Sequence, residues 1–234
     1  MRKLILSTVF LLGIIGKLFA QTQYQNSGWF MFVNNTKFNE KWGLQFDAQV
    51  RSADDWDHVR NTLIRPALQY FINKDHNVAL GYLWQTTQNQ VEGTSNTFLH
   101  EHRIFEQYIF NHKLSSIFAS HRVRVEQRFI ERTNGDVFAQ RFRYFFRLIQ
   151  PLQKTAATFD QGAFVALQNE VFLNFQNKDR INKSVFDQNR LYLAGGYRFS
   201  KKVDLEIGYM NQAVKNTTNH TNNNIVQFAV YTRF

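Results

Sequence analysis

Arg122, Arg124, Glu126 and Arg128 stand two residues apart in the stretch HRVRVEQRF (121–129), and Arg141, Arg143 and Arg147 keep the same parity in RFRYFFR. Val123, Val125 and Phe129 occupy the other parity of the first stretch, with Gln127 alone off pattern. In a strand, alternate residues share a face, so both stretches would present a row of guanidinium groups. Guanidinium keeps its charge at any working pH and grips carboxylate or phosphate through a planar fork of donors. Arg65, Arg190 and Arg198 extend the pattern in other segments, together with Glu170, Glu206, Asp47 and Asp204. If segments 117–130 and 139–149 pair antiparallel, two arginine rows lie side by side. Like charges directly opposite are destabilising, so carboxylates or a bound anion should intervene. Two uses follow: a salt-bridged filling that closes a wet interior, or a ring of arginines lining an anion-biased channel or polar ligand site.

Other chemistry finds less support. His100 and His102 in HEH share a strand face and could both ligate a metal, with Glu106 further along that face as a third ligand. Without cysteine or a further histidine motif the pattern is weak, and no metal or cofactor is expected. A Ser–His–acid hydrolase needs Ser and His side chains within hydrogen-bond reach. Ser120 and His121 are adjacent, so on a strand they point to opposite faces; His100, His102, Ser95 and Ser115 offer no recognisable spacing. No catalytic residue is nominated, and the reading leans against an enzyme.

The elements that would position the arginines are strands. A period-two pattern recurs at 27–38, 42–51, 62–72, 78–85, 98–110, 117–130, 139–149, 164–175, 190–199, 203–212 and 225–234. Phe, Leu, Val and Tyr crowd one parity; Arg, Gln, Asn and acids take the other. Segment 98–110 is the least regular, with charge on both parities in its first half. Short turns are expected at 39–41, 73–76, 111–113 and 200–202, with a longer connection at 152–160. Longer polar loops are expected at 52–60, 88–97, 177–187 and 215–223, and a shorter one at 133–137. Alternating short and long connections suit an outer-membrane barrel. A lipocalin-like barrel or an exported sandwich would also alternate, but would scatter Lys and Glu on its polar parity.

The expected fold is therefore all-β: an antiparallel up-and-down transmembrane β-barrel of ten to twelve strands. Eleven segments conflict with the even strand numbers of single-chain bacterial barrels. Ten and twelve both stay open, twelve slightly favoured, with segment 27–38 the one that does not fit.

The first residues bear on location. Arg2 and Lys3 precede the apolar run LILSTVFLLGIIG and then KLFAQ, the form of a secretory signal peptide cleaved after Ala20. Residues 1–20 are read as that signal and 21–234 as the barrel. The run is short for a membrane anchor, which needs ~20 apolar residues. The formal charge of +10 falls to +7 without Arg2, Lys3 and Lys17, since 1–20 holds no acid. The arginines interleave with acids instead of forming a basic tail, so lipopolysaccharide phosphates or an anion preference inside a pore are better readings than nucleic acid. With no cysteine, the chain must hold itself together by other means; a closed barrel does so by pairing every backbone group between strands. Trp29, Trp42, Tyr70, Tyr82, Trp84, Tyr209 and Phe234 are expected as aromatic girdles at membrane interfaces. Trp56 in SADDWDH is read as a loop anchor or an external contact.

RPALQY (65–70), EHRIFEQ (101–107), HRVRVEQRF (121–129), RFRY (141–144), NEVF (169–172) and NRLYLAGGY (189–197) occur in this order. Together they resemble a family of uncharacterised Gram-negative outer-membrane proteins, domain of unknown function 2490, from Trp29 to Phe234. The resemblance implies an outer-membrane barrel and brings no activity, substrate or site residues. Phe234 itself resembles the C-terminal aromatic typical of barrels handed to the insertion machinery. The expected function is structural or transport-related, a porin-like narrow anion-biased pore in the cell outer membrane, contacting lipid and lipopolysaccharide. A membrane-embedded lipid or lipopolysaccharide hydrolase and a surface interaction protein acting through long loops are the alternatives.

Overall fold

A computed structural model describes residues 22–90, 93, 95–153 and 158–234; the expected signal peptide at 1–20 lies outside them. The alternating segments form strands β1 (Thr22–Lys37), β2 (Trp42–Ser52), β3 (Val59–Phe71), β4 (His76–Asn89), β5 (Thr97–Leu114), β6 (Ile117–Ile130), β7 (Val137–Pro151), β8 (Gly162–Gln176), β9 (Phe186–Ser200), β10 (Val203–Lys215) and β11 (His220–Arg233). Each pairs antiparallel with its sequence neighbour, and β1 closes the barrel by pairing parallel with β11, from Thr22↔His220 to Asn35↔Arg233.

Eleven lies within the expected ten to twelve but departs from the preference for twelve. The misfit segment 27–38 falls on β1, all but Phe38. An up-and-down chain with an odd number of strands begins and ends in the same direction, so its seam must be parallel. The seam keeps its backbone groups satisfied: Lys37 N–H donates to Phe234 O at 2.6 Å and Phe234 N–H to Asn35 O at 2.9 Å.

Two connections depart most from their expected places. The turn placed at 111–113 is at Ser115–Ser116, with Ser115 at φ 56°, so His112 lies on β5. The loop placed at 215–223 shrinks to 216–219 because β10 runs on to Lys215 and β11 begins at His220; Asn211 Nδ2 donates to Asn222 Oδ1 across them.

The two faces differ sharply. Outward, every strand exposes large apolar side chains, among them Phe30, Val50, Leu68, Leu80, Ile104, Val123, Tyr144, Leu167, Leu193, Ile207 and Phe228. Inward lie arginines, carboxylates and amides. β5 resolves its irregularity the same way: Glu101, Arg103, Phe105 and Gln107 face in, while His102, Ile104, Glu106 and Tyr108 face out.

Two apolar clusters interrupt the polar interior. Leu63, Ala67, Ala79, Leu83 and Phe105 pack together; a Cβ on Gly81 would lie 2.2 Å from the Phe105 ring, so only glycine admits it. At the short-turn end Phe159, from the β7–β8 connection, turns in against Phe118 and Phe164, and Arg198 holds it by donating to its carbonyl at 2.7 Å.

Trp29 is not a girdle residue. It is 7% exposed and lies in the interior, because β1 turns its odd positions inward. Trp42, Tyr82, Trp84, Tyr209 and Phe234 are exposed. Trp56 is half exposed and its ring covers Gly28 of β1, where a Cβ would lie 1.9 Å from it.

Candidate functional site

The barrel brings the inward faces of β2–β10 around one polar network. Glu126 of β6 is completely buried and takes Arg141 of β7 through Nη2 at 2.6 Å, Arg143 through Nη1 at 2.5 Å and Arg124 at 3.6 Å. Glu170 of β8 accepts from Arg143 and Arg122, both at 2.7 Å. Glu101 of β5 accepts from Arg128 at 2.6 Å and Arg103 at 2.7 Å. Asp187 of β9 takes the second arm of Arg141 at 2.7 Å. Asp47 pairs with Arg65 at 3.4 Å. Nearer the short turns, Glu206 pairs with Arg147, and Asp204 with both Arg198 and Arg233.

The register explains why two arginine rows tolerate each other. Only Arg124 and Arg143 stand directly opposite on β6 and β7; Arg122 faces Phe145 and Arg141 faces Glu126. Glu126 then bridges the one like-charged pair. Arg124 also donates to Gln107 Oε1 through Nε at 3.1 Å and Nη2 at 2.6 Å.

Aromatic rings carry much of the guanidinium surface. Arg124 lies 4.2 Å from the Phe105 ring centre, Arg143 4.3 Å and Arg190 4.8 Å from Phe172, and Arg122 4.5 Å from Phe145. Such cation–π contacts contribute roughly 0.5–2 kcal/mol each. They let a weakly hydrated cation sit indoors without a carboxylate of its own.

Two arginines have no such carboxylate. Among the described residues, Arg51 forms no salt bridge; its Nε donates to Gln49 Oε1 at 3.1 Å, and its guanidinium lies 3.9 Å from the Trp29 ring centre. Arg190 likewise bonds Gln188 Oε1 at 3.2 Å and lies 5.0 Å from the same ring. Since Glu101, Glu126, Glu170 and Asp204 each serve more than one arginine, the interior carries more guanidinium than carboxylate.

Three adjoining cavities run through this network. One of about 130 Å³ is bounded by Asp47, Arg65, Arg122, Arg147, Glu170 and Tyr231 among others. A second, of about 230 Å³, lies among Arg51, Arg65, Glu101, Arg128, Asp187 and Arg190. A third, of about 420 Å³, opens toward the long loops among Asp54, Asn61, Thr87, Gln212 and Asn223. Arg51 lines all three.

The histidines lie elsewhere. His100 Nδ1 is 3.2 Å from Thr86 Oγ1, and His102 bonds Tyr82 on the outer face, where Glu106 accepts from Gln127 at 3.1 Å. His121 bonds Tyr144 at 2.8 Å and meets His112 at 3.1 Å, also outside. Among the described residues no three His, Asp or Glu side chains converge to hold a metal.

A polar, arginine-rich interior inside an apolar exterior now stands beside a family match. The model described as protein of unknown function (DUF2490) matches residues 26–224. The chain belongs to this family. No curated protein and no solved structure matches it. In this DUF2490 chain the match runs from β1 into β11 and so takes in every arginine of the network except Arg233.

Sequence reading did not nominate Arg51, Glu101, Arg103, Gln107 or Asp187. Arg51 ends the polar parity of 42–51, and Glu101, Arg103 and Gln107 share one parity, so both signals were present. Asp187 fell in an expected loop, and nothing local marks it. Phe105, Phe172 and Trp29 were beyond pattern reading, because an inward aromatic looks like any other aromatic.

Proposed function

We propose that this chain is an outer-membrane barrel of transport type, with a narrow, anion-biased passage through its lumen. The exterior supports this location. Eleven strands expose Leu, Val, Ile, Phe and Tyr around the whole circumference, far more than the few hundred Å² a monomeric soluble protein leaves bare. Strands of 11–18 residues exceed the ~9–11 needed for a tilted crossing. On this reading residues 1–20 direct export, lipid and lipopolysaccharide surround the belt, and Phe234 is the signal to the insertion machinery.

The observation that carries the anion bias is the surplus of guanidinium over carboxylate, with Arg51 lining all three cavities and Arg190 two of them, neither in a salt bridge among the described residues. A cationic constriction with low-dielectric walls favours anions and raises a barrier to cations. The cavities are small and salt bridges tie inward side chains together along the wall, as far apart as β7 and β10, so any current would be low. The test is single-channel recording of the refolded protein in a planar bilayer under a salt gradient. A reversal potential on the anion side is expected. A cation-side reversal, or silence from demonstrably folded protein, would remove the reading.

A further inference from the structure

We infer that the middle cavity is a binding site for a small, multiply charged oxyanion of the phosphate class, held by Arg51 and Arg190. The inference rests on the anion-biased reading of the lumen and narrows it to a ligand. Seven arginines line this cavity against two carboxylates, Glu101 and Asp187. Buried charge is costly unless it is paired, and these carboxylates are already shared with Arg103, Arg128 and Arg141. Among the described residues, Arg51 and Arg190 have amide oxygens and aromatic rings but no carboxylate within salt-bridge distance: the Trp29 ring for both and the Phe172 ring for Arg190. Two further donors on the same lining, Arg65 Nε and Arg128 Nη1, are buried with no hydrogen-bond partner. Donors in this state call for an acceptor that brings negative charge with it.

Size and shape select the class. A cavity of about 230 Å³ has the volume of roughly seven waters at ~30 Å³ each, enough for a tetrahedral oxyanion and part of its hydration shell. Several oxygens on one centre can engage the forks of Arg51 and Arg190 together, which a monatomic halide cannot. Glu101 and Asp187 stand among the guanidinium groups as acceptors, which suits an anion that retains a proton to donate, as hydrogen phosphate does. Apart from Phe172 and Ile181 the lining is polar, so an apolar tail on the ligand would find little to pack on.

The test is calorimetric titration of the folded full-length protein with inorganic phosphate, with chloride and acetate as competitors at matched ionic strength. One saturable site is expected, weakened about tenfold or more by R51Q/R190Q, as loss of charge-assisted hydrogen bonds implies. R190K keeps the charge and loses the fork, so it should weaken binding less; it also carries the test if the double variant does not fold. Folded protein that takes up no phosphate, equal competition by chloride, or unchanged affinity in the folded variants would overturn the inference. Bilayer recording of the same protein separates the two readings. Anion-selective current without phosphate binding leaves the passage and removes this site. Phosphate binding in a barrel that conducts nothing keeps the site and removes the passage.

Discussion

Glu126 accepts from Arg141 and Arg143 and lies 3.6 Å from Arg124, with no exposed surface of its own. Replacing it with Gln keeps the shape and removes the charge that bridges Arg124 and Arg143. Breaking a buried pair by removing one partner costs about 3–5 kcal/mol, so E126Q should lower the urea midpoint of the refolded barrel by that equivalent. Glu106 is the control, a carboxylate on the outer face whose one partner is Gln127. E106Q should leave the midpoint unchanged or raise it. Equal losses in both variants would mean that the interior network does not hold the barrel. The arginines of this network, Arg122, Arg124, Arg128, Arg141 and Arg143, are legible because strand parity alone assigns them a face. Their partners are less so: Glu101 meets Arg128 through the register of β5 with β6, and Asp187 of β9 reaches Arg141 of β7 past β8.

At the scale of elements, the parallel seam is the feature that parity cannot reveal. β1 alternates like its neighbours, and nothing in TQYQNSGWFMFVNNTK states which strand it pairs with or in which direction. The register places Phe30 beside Phe228, their rings stacked 5.8 Å apart on the outer face. F30C/F228C should therefore form a cross-link on oxidation of the folded protein, seen as a mobility shift that reductant reverses. Failure to cross-link in folded barrels would open the seam. β4 and β5 supply a second check. Valine at Gly81 would drive its side chain into the Phe105 ring, and overpacking of this kind costs about 1–3 kcal/mol. G81V should lower the unfolding midpoint accordingly, and G81V/F105A should recover part of the loss.

For the whole molecule, the prediction concerns what surrounds it. Trp42 and Trp84 are exposed on the outer face, whereas Trp29 is 7% exposed inside. In vesicles containing brominated lipid, variants retaining Trp42 or Trp84 as the only tryptophan should be quenched, and the variant retaining only Trp29 should not. Quenching of Trp29 alone would mean that the barrel is inside out. The same division bears on stability. The exterior gains nothing from burial in protein, so cohesion comes from the backbone ladders, which a closed sheet completes without an edge. The interior salt bridges and the packing around Phe105 and Phe164 add to it.

Alternation along each segment determined, from sequence alone, that the chain is all-β, that one parity is apolar, and that the arginines share the other. That much is local, because a side chain two residues away on a strand is always on the same face. Strand number, the parallel β1–β11 seam, the inward turn of Trp29 and the partners of each arginine were decided only by the tertiary structure. They depend on which strands meet when the sheet closes, and closure is a property of all eleven strands together. A guanidinium row therefore reads clearly in the sequence, whereas the surplus of Arg51 and Arg190 appears only once the register of paired strands has given each interior carboxylate to other arginines.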